Sequence, residues 1–286
     1  MAAERLDLRD RVCLVTGAGR GIGLATAREL ARRGARGVVL VDLAGDELDA
    51  VVAELGERAL AVGVDVTDAD AMNGAVAAAR ERFGALDVVV ANAGIERIGT
   101  VRRLPPEDFE RVIEVNLLGV YRTLRPAIEP VVERRGHLLA VSSASAALAS
   151  PLIAAYAASK AGVASLMRAL RAEIAGTGTT AGAAFFGFID TSMVERAWRD
   201  PAAEHGLKRL PEPMRRSATP ETAGRAIADG IERRKARVWL PRGVSGLFAL
   251  AWLAQALDDR MARRLDVPGT VRLAEREPLA EEAAPK

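Results

Sequence analysis

Short apolar runs rich in β-branched residues alternate along this chain with longer stretches in which apolar residues recur every three or four positions. Continuous apolar runs are typical of strands buried on both faces, whereas the longer stretches have the periodicity of amphipathic helices. The predicted strands span residues 11–16, 38–42, 59–64, 86–91, 137–142, 181–186 and 237–240. Their alternation with helices predicts an α/β fold with a doubly wound parallel sheet and right-handed crossovers.

The alternation continues without a change of composition to about residue 187, and we predict one domain over residues 1–243. Residues 187–216 break the rhythm with three prolines and two glycines around a short helical pattern at 191–199. A long insertion after a strand predicts a lid over the substrate, and a surface loop is the alternative.

The last part of the chain combines a capped helix with a C-terminal extension. Thr219 and Pro220 have the order of an N-cap and a first helical residue, which predicts a helix to about residue 234. Residues 244–286 are predicted to form a helical extension and tail, with one or two helices at 245–265. These helices are expected to cap the substrate pocket, to block a contact between subunits or to touch a membrane surface.

The bulk composition fits a globular protein. Half of the 286 residues are hydrophobic and the net charge is only +2, so nucleic acid is not an expected partner. The single cysteine, Cys13, excludes an internal disulfide and is typical of a reducing compartment, so we expect a cytoplasmic protein. The charged N-terminus predicts no signal peptide, and the most apolar stretch, 244–257, is too short for a transmembrane segment. His137 and His205 lack metal-ligand spacing, so no metal site is predicted.

A glycine-rich turn, Thr16-Gly-Ala-Gly-Arg-Gly-Ile-Gly23, follows the first predicted strand and opens the first predicted helix. Glycines allow the backbone to turn sharply and to approach a pyrophosphate, whose charge is favoured at a helix N-terminus. The spacing of Gly17, Gly21 and Gly23 differs from the G-x-G-x-x-G fingerprint, so the evidence comes from the place of the turn between strand and helix. The turn predicts a dinucleotide site.

Asp42 ends the second predicted strand, 19 residues after Gly23. A carboxylate there accepts hydrogen bonds from both hydroxyls of an adenosine ribose and repels a 2′-phosphate, which favours NAD over NADP. Arg20 in the turn argues for NADP, because a guanidinium pairs with that phosphate. The alternative for Asp42 is a charge at the start of the next helix. Asp65, at the end of the third strand, is placed to meet the adenine amino group.

Tyr156 and Lys160 are the most informative pair in the chain, which has only 2 tyrosines. Residues four apart share one face of a helix. An ammonium beside a phenol favours the phenolate, so we predict that Lys160 lowers the pKa of Tyr156 towards the range of a general acid and base. The alternative is an ordinary pair on a helix surface.

With these features together, residues 8–240 resemble the short-chain dehydrogenase/reductase family. The motifs that carry the resemblance are the turn at 16–23, Asp65-Val-Thr67, Asn92-Ala-Gly94, Asn116, Ser143 and Tyr156-Ala-Ala-Ser-Lys160. The resemblance implies a Rossmann-type sheet of about seven strands in three α/β/α layers, a nicotinamide cofactor and redox chemistry of alcohols and carbonyl compounds.

The resemblance also implies four catalytic roles. Tyr156 would be the acid and base, Lys160 would lower its pKa and hold the nicotinamide ribose, and Ser143 would hold the substrate oxygen. Ser143 lies 13 residues before Tyr156, and that spacing selects it over its neighbours Ser142 and Ser145. The fourth catalytic residue, Asn116, lies on an apolar helix face and must be hydrogen-bonded there. It would hold a water that leads to the lysine, and a purely structural bond is the alternative.

The cofactor-binding residues implied by the resemblance lie in the loops that follow the strands. They are Gly17, Arg20, Gly21, Ile22, Gly23, Asp42, Leu43, Asp65, Val66, Asn92, Ala93, Gly94, Tyr156, Lys160, Gly187, Ile189 and Thr191. Two features depart from the family pattern. Phe186-Gly187 replaces a Pro-Gly after the sixth strand, and the chain continues well beyond the last strand.

We therefore predict an NAD-dependent oxidoreductase that transfers hydride between the nicotinamide and a secondary alcohol or ketone. A nonpolar substrate of alicyclic, terpenoid or steroid-like type is predicted from the apolar side chains around the lid, which are Phe185, Phe186, Phe188, Met193 and Trp198. The alternatives are an NADPH-dependent carbonyl or 3-oxoacyl reductase and a non-catalytic sensor or scaffold that binds a dinucleotide. Small-residue helix faces predict a homodimer or homotetramer.

Overall fold

In the computed structural model, seven strands pair in parallel in the order β3-β2-β1-β4-β5-β6-β7. The structure describes residues 4–147, 150–210, 212–241, 243, 245–246 and 264–276. The strands are β1 (Val12–Thr16), β2 (Gly37–Asp42), β3 (Ala59–Gly63), β4 (Val88–Ala91), β5 (His137–Ser143), β6 (Thr180–Phe186) and β7 (Arg237–Leu240). Every predicted strand is confirmed, with each end within two residues of its predicted position.

Helices cover both faces of this sheet. They are α1 (Gly21–Arg32), α2 (Asp46–Leu55), α3 (Ala69–Phe83), α4 (Pro106–Ile113), α5 (Gly119–Leu124), α6 (Ile128–Glu133), α7 (Ala154–Glu173), α8 (Ser192–Arg199), α9 (Pro201–Leu207), α10 (Glu212–Arg215), α11 (Pro220–Glu232) and α12 (Val267–Arg276). In β1, Leu14 packs in a cluster with α3 and α7, and Cys13 packs in a second cluster with α1 and α11. Both strand faces are therefore buried, and the predicted three-layer Rossmann-type fold is confirmed.

The strand order reverses between β1 and β4, because β2 and β3 are added on one side of β1 and the later strands on the other. In open α/β sheets, ligands bind in the crevice beyond the carboxyl ends of the strands at such a switch point. The predicted site residues follow these carboxyl ends. At the opposite end of the strands, the segments are held together by Asp87. Its buried carboxylate accepts hydrogen bonds from Arg11 at 2.8 Å, Arg134 at 3.0 Å and the Val12 amide at 3.0 Å.

The segment after β6 contains three short helices, α8 to α10. The helix predicted at 191–199 is confirmed as α8, which starts after Thr191. The helix predicted after Thr219 is confirmed as α11, with the Thr219 hydroxyl accepting from the Thr222 amide at 3.3 Å. The helices predicted at 245–265 lie almost entirely outside the described residues.

Helix α12 joins two parts of the molecule that are distant in sequence. Asp266, just before it, accepts a hydrogen bond from His205 of α9 at 3.0 Å. Glu275, near its end, pairs with Arg102 in the β4–α4 loop. The C-terminal segment therefore contacts both the α8–α10 region and the loop after β4. Among the residues that the structure describes, no helix is long and apolar enough to cross a membrane.

Candidate active site

The glycine-rich turn packs backbone against backbone. Gly17 and Gly21 have φ angles of +65° and +55°, and a Cβ atom on Gly23 would lie 1.8 Å from the Gly17 carbonyl oxygen. These positions therefore require glycine. The first turn of α1 has no side-chain cap from Arg20, so its amide groups are available to a phosphate. The turn fits the pyrophosphate of a dinucleotide.

The Asp42 carboxylate is fixed at the mouth of this turn. One oxygen accepts from the Gly19 amide and the other from the Leu43 amide, each at 2.8 Å. Leu43 is exposed beside it, and the Arg20 side chain makes no hydrogen bond or ion pair with any described residue. Ile22 packs partly buried against the core. This arrangement presents one negative charge and one free guanidinium to the adenosine end of a dinucleotide.

Asp65 and Val66 lie after β3 on the same edge. Asp65 accepts from the Thr67 amide at 2.9 Å and from the Arg111 guanidinium at 2.8 Å, while Val66 is buried against Gly119. Contact of Asp65 with the adenine amino group stays a prediction.

Asn92 braces the switch point. Its side-chain nitrogen donates to the Thr16 carbonyl at 2.9 Å, and the Thr16 hydroxyl accepts from the amides of Asn92 and Ala93 at 3.0 and 3.1 Å. Sequence reasoning assigned no role to the Thr16 hydroxyl, which joins the ends of β1 and β4. A Cβ atom on Gly94 would lie 3.4 Å from the Lys160 ammonium, so this glycine backs directly onto the site.

Asn116 is buried in a π-helical turn, Glu114–Leu118, between α4 and α5. Its oxygen accepts from the Ile95 amide at 2.7 Å, and its nitrogen donates to the Ile95 carbonyl at 2.9 Å and the Ser159 hydroxyl at 3.1 Å. Ser159 in turn donates to the Tyr156 carbonyl at 2.7 Å. These bonds fit the structural alternative, and the role in holding water stays a prediction. The bridging Ser159 was missed from sequence.

Tyr156 and Lys160 lie on the inner face of α7. Lys160 is only 3% exposed, its ammonium donates to the Val141 carbonyl at 2.9 Å, and it lies 5.5 Å from the centre of the Tyr156 ring. The alternative of a surface pair is therefore wrong. Burial lowers the pKa of Lys160 to about 8.

The predicted effect of Lys160 on the tyrosine is wrong for this structure. Burial raises the pKa of Tyr156, the Glu96 carboxylate raises it further, and only a hydrogen bond from Ser143 lowers it. The physical reason is that desolvation disfavours the phenolate, while the Lys160 ammonium is engaged by a backbone carbonyl beside the ring.

The three neighbouring serines have different surroundings. Ser142 is buried and donates to the Lys160 carbonyl at 2.8 Å, which ties β5 to α7. Ser143 lies beside the Tyr156 phenol and accepts from the Ser145 amide at 3.1 Å. The Ser145 hydroxyl oxygen is buried without a hydrogen-bond partner among the described residues. Ser143 is thus the serine that meets the tyrosine.

The chain after β6 returns to the glycine-rich turn. The Gly187 amide donates to the Leu240 carbonyl at 2.8 Å, and Ile189 is buried in the core. Thr191 lies beside Gly21, where a Cβ atom would be 3.4 Å from its methyl group. These residues therefore lie at the carboxyl ends of the strands, with the other predicted site residues.

Two of the five apolar side chains predicted around the lid lie elsewhere. Phe185 stacks on Trp239 with ring centres 4.6 Å apart, and Phe186 is buried in the opposite core cluster. Both are core residues because β6 is covered on both faces. Phe188, Met193 and Trp198 are half-buried in the following segment.

Glu96 is a site residue that sequence reasoning missed. It follows Asn92-Ala-Gly94 by two positions, and burial raises the pKa of its carboxyl to about 7, with Arg196 of α8 opposing that effect. Its signal in the sequence is an acidic residue five positions after the end of β4, just beyond the motif Asn92-Ala-Gly94. Within the described part of the chain, no group of His, Cys, Asp and Glu side chains is arranged to hold a metal ion.

Comparisons with known proteins agree with this geometry. The family model described as short chain dehydrogenase matches residues 11–202. Acetoacetyl-CoA reductase of Synechocystis is 38% identical over 224 residues, which cover 78% of this chain and 89% of the relative. Cis-4-hydroxycyclohexanecarboxylate dehydrogenase of Sinomonas cyclohexanicum is 39% identical over 223 residues, which cover 77% and 88% of the two chains.

The fold is also found among solved structures. A short chain dehydrogenase/reductase from Burkholderia phymatum, solved in complex with NAD, superposes with a TM-score of 0.76 over 88% of this chain and 96% of that chain. The identity is 22%, so this likeness is one of fold. Together with the family match, these findings show that the chain belongs to the short-chain dehydrogenase/reductase family and is a nicotinamide-dependent oxidoreductase of alcohol and carbonyl groups.

Proposed function

We propose that this protein is an NAD-dependent oxidoreductase of secondary alcohols and ketones with a nonpolar carbon frame, such as alicyclic, terpenoid or steroid-like compounds. The observation that carries the proposal is the cluster of Tyr156, Ser143 and buried Lys160 at the carboxyl edge of the sheet, next to a glycine-rich turn that fits a pyrophosphate.

Each catalytic side chain has a distinct task in this proposal. During oxidation Tyr156 takes the proton of the alcohol once its phenol is ionised, which its raised pKa confines to alkaline pH, and the Ser143 hydroxyl holds the substrate oxygen. Lys160 holds the nicotinamide ribose. Asn116 holds the loop at Ile95 against α7 through its hydrogen bond to Ser159. When bound, the nicotinamide supplies the hydride acceptor in oxidation and the hydride donor in reduction.

The preference for NAD is supported by Asp42. Its carboxylate is held by two backbone amides, so it cannot turn away from a 2′-phosphate without losing both hydrogen bonds. Leu43 beside it offers no positive charge. Gly17, Gly21, Gly23 and the residues around Asn92, Gly187 and Thr191 complete the proposed cofactor site.

The alicyclic part of the proposal is supported by the relative named for the oxidation of cis-4-hydroxycyclohexanecarboxylate, a ring alcohol that also carries a carboxylate, and by half-buried Phe188, Met193 and Trp198. A second candidate is an NADPH-dependent 3-oxoacyl reductase. It is favoured by Arg20, which pairs with none of the residues that the structure describes, and by the similarity to an acetoacetyl-CoA reductase.

The chain offers a matched test, since Tyr121 and Tyr156 are its only tyrosines. Nicotinamide absorbance would be followed with NAD and with NADP on cyclohexanol, cyclohexanone and acetoacetyl-CoA. We expect turnover of the ring compounds with a higher kcat/KM for NAD. Tyr156→Phe should reduce kcat more than about 1,000-fold while NAD binding is kept, and Tyr121→Phe should stay near the wild-type rate.

Three outcomes would contradict parts of this proposal. Tyr156→Phe activity within tenfold of wild type rejects the catalytic assignment. Preference for NADP and acetoacetyl-CoA supports the second candidate. Cofactor binding without turnover of any compound indicates a binding protein.

We also propose a homodimer or homotetramer in the cytoplasm. Phe109, Leu118 and Tyr121 are exposed large side chains on α4, the π-helical turn and α5, a face suited to pairing with a second copy. Light scattering of the purified protein measures the assembly, and a monomer at micromolar concentration would reject it.

A further inference from the structure

Arg111 of α4 contacts the loop that follows β3. Its guanidinium donates to one oxygen of the Asp65 carboxylate at 2.8 Å and to the Thr67 hydroxyl at 3.5 Å. The other Asp65 oxygen accepts from the Thr67 amide at 2.9 Å. Each carboxylate oxygen therefore has one donor, and the direction of the carboxylate is fixed from α4 on one side and from its own loop on the other.

The position of Asp65 relative to the glycine-rich turn follows from the pairing of the strands. Gly63 of β3 pairs with Asp42 of β2, and the Val64 amide donates to the Asp42 carbonyl at 2.8 Å. The Asp42 carboxylate in turn accepts from the Gly19 amide of the turn at 2.8 Å. Asp65 therefore lies beyond the carboxyl end of the strand that is next to Asp42.

The catalytic side chains lie on the other side of the turn. Lys160, on the same helix as Tyr156, donates to the Val141 carbonyl of β5 at 2.9 Å, and β5 is separated from β2 by β1 and β4. A dinucleotide with its pyrophosphate at the turn and its nicotinamide beside Tyr156 has its other base at the ends of β2 and β3. The carboxylate of Asp65 therefore lies at the end of the site that receives the adenine base.

The pair formed by Arg111 and Asp65 is better suited to contact with this base than to stabilisation of the fold. Its side chains are 46% and 34% exposed, and ion pairs with such exposure contribute little to stability. Each oxygen of a carboxylate accepts more than one hydrogen bond, so Asp65 can still accept from a ligand. An amino group on the base donates to this carboxylate, whereas a carbonyl group at the same position is repelled by it.

We propose that Arg111 is a positioning residue for the cofactor, because it orients the Asp65 carboxylate towards the exocyclic amino group of adenine. The site thereby selects adenine over hypoxanthine, which has a carbonyl group in place of that amino group. This inference rests on the proposed function, because it takes a nicotinamide adenine dinucleotide as the ligand and Asp65 as its contact at the base. Without Arg111 the carboxylate is held at one oxygen only, and the selection weakens.

The test compares NAD with nicotinamide hypoxanthine dinucleotide, through their dissociation constants for the full-length protein in isothermal titration calorimetry. We expect the wild type to bind NAD about 10- to 100-fold more tightly, the range of a hydrogen bond to a charged group. Arg111→Met removes the charge and the donors and should reduce this preference by about threefold or more, with the loss in NAD binding. Arg111→Lys keeps the charge without the fork of donors, so it should restore part of the preference.

Two further variants separate positioning from a general effect of charge. Asp65→Asn places an amide N–H group where the hypoxanthine carbonyl can accept from it, so the preference for NAD should be lost. Arg28→Met is the matched control, since Arg28 of α1 forms an ion pair with Glu54 at 2.6 Å in which the side chains are 48% and 44% exposed. This control should keep both dissociation constants within about twofold of the wild-type values. Because both ligands carry the same pyrophosphate, a change in the general charge of the site cancels in their ratio.

The outcomes distinguish this inference from the proposed function. Equal binding of both dinucleotides by the wild type would reject the inference, and so would an Arg111→Met variant that weakens both to the same extent, because the pair would then be only structural. If either result accompanies normal oxidation of cyclohexanol with NAD, the proposed function stands without the inference. If the preference depends on Arg111 but no alcohol or ketone is turned over, the inference holds and the proposed function fails.

Discussion

Asp87 and Glu96 stand on either side of β4, and their carboxyl groups have opposite surroundings. Asp87, at the amino end of the strand, is fully buried and accepts hydrogen bonds from two arginines and a backbone amide. Glu96, beyond the carboxyl end, has no donor among the described residues. At one end of β4 the protein satisfies the hydrogen bonds of the acid, whereas the acid beyond the other end has no donor among the described residues.

This difference separates stability from function. A buried carboxylate with its partners in place fixes the strands that carry it, and removal of the acid leaves those partners without an acceptor. An acid without partners destabilises the folded chain when it ionises. Its electrostatic effect on Tyr156 is therefore expected to appear in catalysis, at a cost in stability.

The largest effect is expected at Asp87, whose carboxylate has all three of its hydrogen-bond donors within the protein. Asp87→Asn should lower the free energy of unfolding by about 3 kcal/mol, because two guanidinium groups and the Val12 amide lose a charged acceptor. Urea denaturation with an unchanged m-value measures this loss. Asp49→Asn, an exposed acid on α2, serves as control and should change stability by less than about 0.5 kcal/mol. Equal effects of the two substitutions would show that Asp87 stabilises the fold no more than an exposed acid does.

A smaller effect of opposite sign is expected at Glu96. Its pKa is raised by burial from an ordinary value of 4.5 to about 7 in the folded protein, so the folded state loses stability as the pH rises between these values. Glu96→Gln does not ionise and should be more stable than wild type by about 1–3 kcal/mol at pH 8.5, with little difference at pH 4.5. Urea midpoints at the two pH values measure this change. A gain that is independent of pH would contradict the linkage.

The smallest effect concerns the pH dependence of oxidation. The Glu96 carboxylate contributes to the raised pKa of Tyr156, so its removal should move the rising limb of kcat/KM to lower pH. At a fixed pH on that limb, Glu96→Gln should oxidise cyclohexanol about two- to tenfold faster than wild type. A profile from pH 6 to 10.5 provides the measurement. An unmoved limb would show that Glu96 does not act on the phenol.

Most of the fold was predictable because strands buried on both faces of a parallel sheet have continuous apolar sequences. The motif residues were also placed at the correct edge of the sheet, since loops after parallel strands converge there. Helix α12 was missed, although Asp266 followed by Pro268 is a start signal: the Asp266 carboxylate accepts from the Gly269 amide at 3.1 Å.

The remaining errors concern properties that arise only after packing. The pKa of Tyr156 depends on burial and on Glu96, which is 60 positions away in sequence. Phe185 and Phe186 read as pocket residues because an apolar pattern cannot tell a strand core from a cleft wall. Lys160 was correctly paired with Tyr156, but its bond to the Val141 carbonyl depends on the position of β5.

The two attachments of the C-terminal segment have a mechanical consequence. Asp266 is linked to α9 and Glu275 to the loop that carries Glu96, and the two residues are only nine positions apart. Helix α12 therefore ties α9 to the loop after β4, and α9 cannot move away from that loop unless one attachment breaks. Since Asp266 also pairs with Arg209 and Glu275 pairs with Arg102, at partly exposed side chains, the distance between α9 and that loop should respond to salt concentration.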